Sequence, residues 1–348
     1  MEATELTFQT VYPPEASAGE MDEIRLLLSA YKLELETRVE VFVVCRAQGR
    51  IVACAGLDHN TIKCVAVTEG LRGESVSLRL GTEIVKLAAQ RGQYHLFVYT
   101  APHNLPLFRG WGFYQLVEVP QFVVLMENSP IALARYCNTL RTQRRPGKKI
   151  GGIVLNANPF TLGHQHLVET AARQCDWLHV FVVKENASEF SYTDRFALVA
   201  AGVKDINNLI LHPGSDYIIS RATFPGYFLK EEKTIDHSWA GIDLLLFRQY
   251  IGPALGITHR YVGTEPFDPV TNQYNRDMKV WLEEEASVAP PIQVVEVPRA
   301  TADGVPISAT AVRKLLAQGD FASLEDLVPP TTFQFLETTS PLAMSATR

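Results

Sequence analysis

The chain has 348 residues, 47% of them hydrophobic and 20% charged, with a formal net charge of −6. That length points to two domains, and the composition excludes a disordered chain. The acidic balance argues against a general nucleic-acid binder, and no apolar run approaches the ~20 residues that a membrane span needs.

The opening stretch, Met1 to Thr10, has neither a basic region nor an apolar one of signal-peptide type, so a cytoplasmic protein is expected. Five cysteines (Cys45, Cys54, Cys64, Cys137, Cys175) are scattered among apolar residues. They read as small buried thiols, not as a disulfide framework or a zinc site. Residues 1–128 read as one α/β unit. Met21 to Leu35 has helical spacing, and the strands Val39–Val44 and Ile51–Gly56 follow, joined by a turn at Gln48-Gly49-Arg50. A third strand, Thr61–Val67, leads through a loop at Arg72-Gly73 into an amphipathic helix. Beyond it come a strand from Tyr94 to Tyr99, then Asn104, Phe108 and Gly112-Phe113, and a last strand from Gln121 to Met126. Residues 129–149 carry a short helix, Pro130–Leu140, and a basic run, Arg141 to Lys149. Pro146 and Gly147 inside that run favour a solvated linker.

From residue 150 the pattern turns to βα alternation. Ile153-Val154-Leu155 leads through Asn156-Ala157-Asn158-Pro159-Phe160 into Thr161-Leu162-Gly163-His164, after which Leu167, Val168, Ala171, Ala172 and Cys175 recur at helical spacing. A helix start presents unpaired N–H groups and the positive end of the macrodipole, which favour phosphate. Gly163 would let the backbone approach a ligand, and His164 would stand in the first turn as a donor. Read as residues alone, the same histidine serves equally as a cap. Next come a strand from Trp177 to Val183, ending at Lys184, and a helix from Arg195 to Val203 behind Ser191 and Asp194 at capping-box spacing. A strand Asn208–His212, a helix Trp239–Ile251, strands Arg260–Val262 and Ile292–Val297, and a helix Ser308–Gln318 complete the series. Such alternation predicts a parallel sheet with right-handed crossovers, whose ligands bind beyond the carboxyl ends of the strands. Asn156, Lys184, Gly263 and Pro298 all follow strands. Near the end, Ser308 is a natural N-cap, and Thr310 and Arg313 share a helical face. They can converge on an anion, or form an ordinary capped helix with a surface arginine.

Several of these stretches resemble known families. Thr161-Leu162-Gly163-His164, with Asn156 and Pro159 upstream, resembles the T/HxGH signature of the nucleotidyltransferase superfamily. Ile307-Ser308-Ala309-Thr310 with Arg313 resembles its second phosphate motif. The order of elements in residues 1–128 resembles the GCN5-related N-acetyltransferase (GNAT) fold. Aligning Arg72 with the first position of that family's pyrophosphate loop puts Ser75 and Ser77 at glycine positions. A Cβ there hinders close backbone approach, so a scaffold or docking domain is expected ahead of an active acetyltransferase. The implied fold class is α/β: a GNAT-like domain over residues 1–128, a linker over 129–149, and a Rossmann-like parallel-sheet nucleotidyltransferase domain over 150–348.

The strings NANPFTLGHQHLVE, YIISRATFPGYFLKEE, YVGTEPFDPVTNQYN and ISATAVRKLL closely resemble the citrate lyase ligase family. That resemblance implies an ATP-dependent ligase. Acetate is activated as acetyl-AMP and passed to the prosthetic-group thiol of the citrate lyase acyl carrier protein, with Mg²⁺ on the phosphates. It makes His164 the transition-state donor, supported by Thr161 and Asn156, with Pro159, Phe160 and Gly163 in the ATP loop. Ser308, Thr310 and Arg313 would hold the leaving pyrophosphate, and Lys184 the acetate or α-phosphate. Gly263, Thr264 and Glu265, with Asp268, would lie near ribose or adenine. Tyr227 and Lys230 would shape the acyl or prosthetic-group side. No carboxylate cluster demands a protein-bound metal, and the basic run at Arg144, Arg145, Lys148 and Lys149 could attract an acidic carrier. Two alternatives stand beside this reading: a pantetheine-phosphate or nicotinamide-nucleotide adenylyltransferase, and a noncatalytic docking protein.

Overall fold

The computed structural model describes residues 5–71, 75–184, 188–219, 224–225, 227–229, 232–265, 269–285 and 287–339. The chain divides into two compact units, residues 1–134 with 225–242 and residues 135–224 with 243–348. The division is therefore discontinuous in sequence, with residues 225–242 counted in the first unit.

The first unit is built on a seven-stranded sheet. Its elements are β1 (Leu6–Val11), α1 (Ala18–Ala30), β2 (Val41–Ala47), β3 (Arg50–Asp58), β4 (Thr61–Val67), α2 (Ser75–Gln90), β5 (Phe97–Thr100), α3 (Leu105–Gly110), β6 (Tyr114–Val119) and β7 (Val123–Glu127). The strands run in the order β1-β2-β3-β4-β5-β7-β6. Strict alternation in β2 explains the layering. Val41, Val43 and Cys45 enter one core, against Leu80, Ile84 and Leu87 of α2. Phe42 and Val44 enter the other, against Ile24 and Leu28 of α1. β4 and β5 are parallel and pair only at Thr61–Phe97 and Ile62–Val98. Tyr227, from the stretch 225–242, completes the second core, and its carbonyl accepts from the Glu34 N–H at 2.9 Å.

The second unit starts within α4 (Ala132–Arg141) and continues as β8 (Ile150–Leu155), α5 (Leu162–Gln174), β9 (Trp177–Val182), α6 (Tyr192–Val203) and β10 (Leu209–His212). α7 (Glu232–Leu246), which belongs to this unit only from Asp243, is followed by α8 (Gly252–Leu255), β11 (His259–Gly263), α9 (Pro269–Lys279) and β12 (Gln293–Val297), then the two-residue strands β13 (Thr301–Ala302) and β14 (Val305–Pro306). Two helices close it, α10 (Ala309–Gln318) and α11 (Pro330–Thr339). The five-stranded sheet is parallel, in the order β10-β9-β8-β11-β12, which is the parallel α/β arrangement expected. Chain order reverses between β8 and β11, and these two pair only through His259–Gly151 and Arg260–Gly152. The carboxyl side of such a reversal is where ligands of open α/β sheets bind. Gly151 lets the end of α5 pack closely on β8, since a Cβ there would lie 2.6 Å from the Cys175 sulfur.

The basic run is ordered against this unit. The Arg145 guanidinium lies 5.3 Å from the Trp177 ring, and the Lys148 and Lys149 N–H groups donate to Asp176 at 2.7 and 2.9 Å. It meets the amino ends of β8 and β9, one strand length (roughly 20 Å) from their carboxyl ends.

Candidate active site

The loop after β8 is shaped residue by residue. Ala157 is buried with a left-handed φ of +49°, and the Asn158–Pro159 bond is cis. A non-glycine residue in that region costs about 1–2 kcal/mol, so its neighbours must hold it. They do. Arg195, fully buried on α6, donates from Nη1 to the Asn156 carbonyl at 2.6 Å and to its side-chain oxygen at 2.9 Å. The Phe190 N–H donates to the Asn158 side chain at 3.2 Å.

Thr161 caps α5, accepting from the His164 N–H at 3.3 Å. His164 completes a capping box in which its Nδ1 accepts the Thr161 N–H at 3.1 Å. An accepting Nδ1 carries no proton, so the neutral ring bears its proton on Nε2. Burial, together with the positive charge of Arg299, pushes the His164 pKa down to about 4, and the ring is therefore neutral near pH 7. It stacks on Phe160 at 5.8 Å.

The second motif packs onto the first. A Cβ on Gly163 would lie 3.1 Å from the Ile307 carbonyl, so this glycine admits the neighbouring backbone where the sequence suggested a ligand. The Leu162 N–H is likewise taken, donating to the Leu327 carbonyl at 2.9 Å. Ser308 caps α10, accepting from the Ala311 N–H at 3.1 Å. Arg313 donates to the Asn158 carbonyl at 2.6 Å and to the Thr310 hydroxyl at 3.2 Å, with Glu189 3.6 Å away.

The loop after β11 is stapled from two sides. Asn275 and Asn272 of α9 donate to the carbonyls of Gly263 and Glu265, at 3.0 and 2.6 Å. Arg299, just past β12, donates to the Thr264 carbonyl at 2.6 Å and pairs with the buried Glu265 carboxylate.

The citrate lyase ligase C-terminal domain family matches residues 150–336. Over 91% of this chain and 90% of its own length, [citrate [pro-3S]-lyase] ligase of Escherichia coli K12 is 51% identical to it. The chain belongs to the citrate lyase ligase family. It is a ligase, built of two α/β units. The corresponding ligase of Klebsiella pneumoniae is 50% identical over 90% of this chain and 92% of its own. Among solved structures, Escherichia coli ElaA aligns with 36% of this chain and all of its own, at 16% identity and a TM-score of 0.32.

In this ligase the structure gathers Asn156, Pro159, Phe160, Thr161, Gly163 and His164 with Ser308, Thr310 and Arg313. Phe160 is wholly buried, and its ring occupies the space that a Cβ on Gly202 would need, which makes it a packing residue. Gly263 and Thr264 line up after β11, while the Glu265 carboxylate is committed to Arg299. Lys184 is exposed at the end of β9, 3.9 Å from Asp216. Tyr227 belongs to the first unit, in the wall of a cavity of about 840 Å³ also lined by Ser77, Thr100 and Asn104. Lys230 and Asp268, like Arg72 and Gly73, lie outside the described residues. Arg195 and Arg299 were not singled out by the sequence reading. The signal for Arg195 was present: it falls on the stripe of α6 that buries Leu198 and Val199, where a charge needs a reason. Arg299 carried only its place just past a strand.

Proposed function

We propose that the two phosphate elements of the second unit bind one ATP, and that an acetate oxygen attacks its α-phosphorus there to give acetyl adenylate and pyrophosphate. The prosthetic-group thiolate of the citrate lyase acyl carrier protein then attacks the acetyl carbonyl. An acyl–sulfur bond forms, the acyl–oxygen bond to AMP breaks, and AMP leaves. The observation that carries this reading is the Arg313 bond to the Asn158 carbonyl, which joins both motifs at the reversal of strand order.

His164 donates its Nε2 proton to the phosphate oxygens on which negative charge develops. As a neutral donor fixed by the Thr161 backbone it needs no reorganisation during the step. Arg299, paired with Glu265, holds the loop after β11 in place, while Ser308, Thr310 and Arg313 receive the leaving pyrophosphate. Lys184 meets the acetate or the α-phosphate, and Gly263 and Thr264 the ribose or adenine. Among the described residues no group of His, Cys, Asp or Glu side chains is placed to hold a metal ion. Mg²⁺, if bound with ATP, would neutralise charge on the phosphates beside Ser308, Thr310 and Arg313.

Within the first unit, the cavity lined by Tyr227 has a volume that suits an organic ligand of moderate size. No helix among the described residues is long and apolar enough to cross a membrane, which is compatible with work in the cytoplasm.

ATP–pyrophosphate exchange tests the reading. Exchange should require acetate, and exchange absent with every short carboxylate would overturn it.

A further inference from the structure

We infer that Arg195 is a positioning residue of the ligase reaction, acting through Asn156 to hold the first phosphate loop in its productive shape. The inference rests on the ATP reading of the site.

Arg195 has no exposed surface, and its guanidinium spans two parts of the chain. Nη1 reaches both oxygens of Asn156, at 2.6 and 2.9 Å, and Nε donates to the Phe190 carbonyl at 3.2 Å. Asn156 is itself exposed, its amide 3.3 Å from the Ser188 hydroxyl. The next residue is the left-handed Ala157, and the one after it offers its carbonyl to Arg313. Nη1 thus holds the carbonyl and side chain of Asn156 together, while Nε of the same rigid plane ties them to the Phe190 carbonyl, and the pair of contacts sets where the chain turns. Every residue from Asn156 to His164 inherits that placement, and so does the site of Arg313 on the Asn158 carbonyl. A lysine in the same place has one ammonium on a flexible stem, with no second nitrogen held in the same plane to serve the Phe190 carbonyl while the first serves Asn156.

A second residue makes the inference testable apart from folding. Asn156 is exposed, so Asn156→Ala removes the side-chain end of the contact without opening the core. A double-mutant cycle of Asn156→Ala and Arg195→Met is measured on acetate-dependent ATP–pyrophosphate exchange. Each single change should lower kcat by about 100-fold with KM for ATP moved less than about threefold, the size expected when reacting groups are misplaced by about 1 Å. Together they should cost little more than the worse one alone, whereas losses that multiply would overturn the inference. Arg195→Lys should recover only about tenfold of the loss, and full recovery would show that charge suffices without the rigid plane. If Arg195→Met does not fold, judged by circular dichroism, the cycle is run with Arg195→Lys and the same criterion. Should the wild-type chain give no exchange with acetate, the proposed function fails. The same cycle read on amide hydrogen exchange of residues 156–164 then decides the inference: non-additive losses of protection support it, and additive or absent ones overturn it.

Discussion

Each unit holds a buried cation, and the two are seated in opposite ways. In the first unit the Lys63 ammonium is 2.7 Å from the Glu36 carboxylate and 2.8 Å from that of Asp58, a charge surrounded by charge. In the second, Arg195 rests on oxygens of Asn156 and on the Phe190 carbonyl. Carboxylates so close cancel the field of a cation within a few ångströms, and the pair then serves the fold. Contacts that end on a ligand loop serve the shape of that loop. The difference teaches that burial of a charge does not by itself mark a site: where its partners lie in the chain does.

Four changes would break or sharpen this comparison. The largest effect is expected from Lys63→Met, which takes the ammonium away from the buried Asp58 and the half-buried Glu36 and should cost about 3–5 kcal/mol in urea unfolding. KM for ATP in the exchange reaction should stay as it was, and a shift would give Lys63 a share in the site. His164→Ala should lower acetate-dependent exchange by about 10²–10³-fold, with ATP affinity changed less than threefold. Equal losses in both would make the histidine a binding group.

Acid should act through a third cluster. His179 and His212 lie 2.8 Å apart in the second unit, and burial pushes their pKa values down to about 4 and about 3. Unfolded, both return to about 6.5, so below that pH the unfolded chain binds more protons than the folded one. The stability gained from neutral rings is complete above about pH 6.5, and it falls as pH drops through 4 towards 3. The slope approaches about 1.4 kcal/mol per pH unit for each group. A His179→Leu, His212→Phe double variant should flatten it in thermal unfolding measured from pH 7 to pH 4.5; an unchanged slope would place the acid sensitivity elsewhere. The smallest effect is expected at Ala157. A glycine relieves the left-handed strain but adds freedom to the unfolded chain, so Ala157→Gly should change stability by no more than about 1 kcal/mol. A larger loss would mean that the methyl packs as well as strains.

Much of the fold was legible because its signals are local. Alternation in β2, β3 and β4, and strand–helix spacing from β8 onward, follow from side-chain periodicity alone. Elements whose cues are weaker were missed: β1 and β6 at the edges of the first sheet, and α9, which is rich in polar residues. The helix expected over Met21–Leu35 is Ala18–Ala30, because Ser17 caps it and Tyr31 ends it. At the candidate site the motif residues could be read, yet their partners could not. The use of Gly163 against Ile307, the commitment of Glu265 to Arg299 and the seat of Arg195 all depend on contacts between distant stretches. No spacing rule reports them.

The placement of residues 225–242 has a consequence for how the protein is made. Tyr227 belongs to the apolar cluster of the first unit, but the ribosome reaches it only after α4, β8, α5, β9, α6 and β10 have been synthesised. During translation the cluster around Ile24, Leu28 and Phe42 therefore waits for a side chain encoded some two hundred positions downstream. A nascent chain stalled before that point carries an unfinished first unit, and proteolysis of ribosome-bound intermediates should find it cleavable until the later segment emerges.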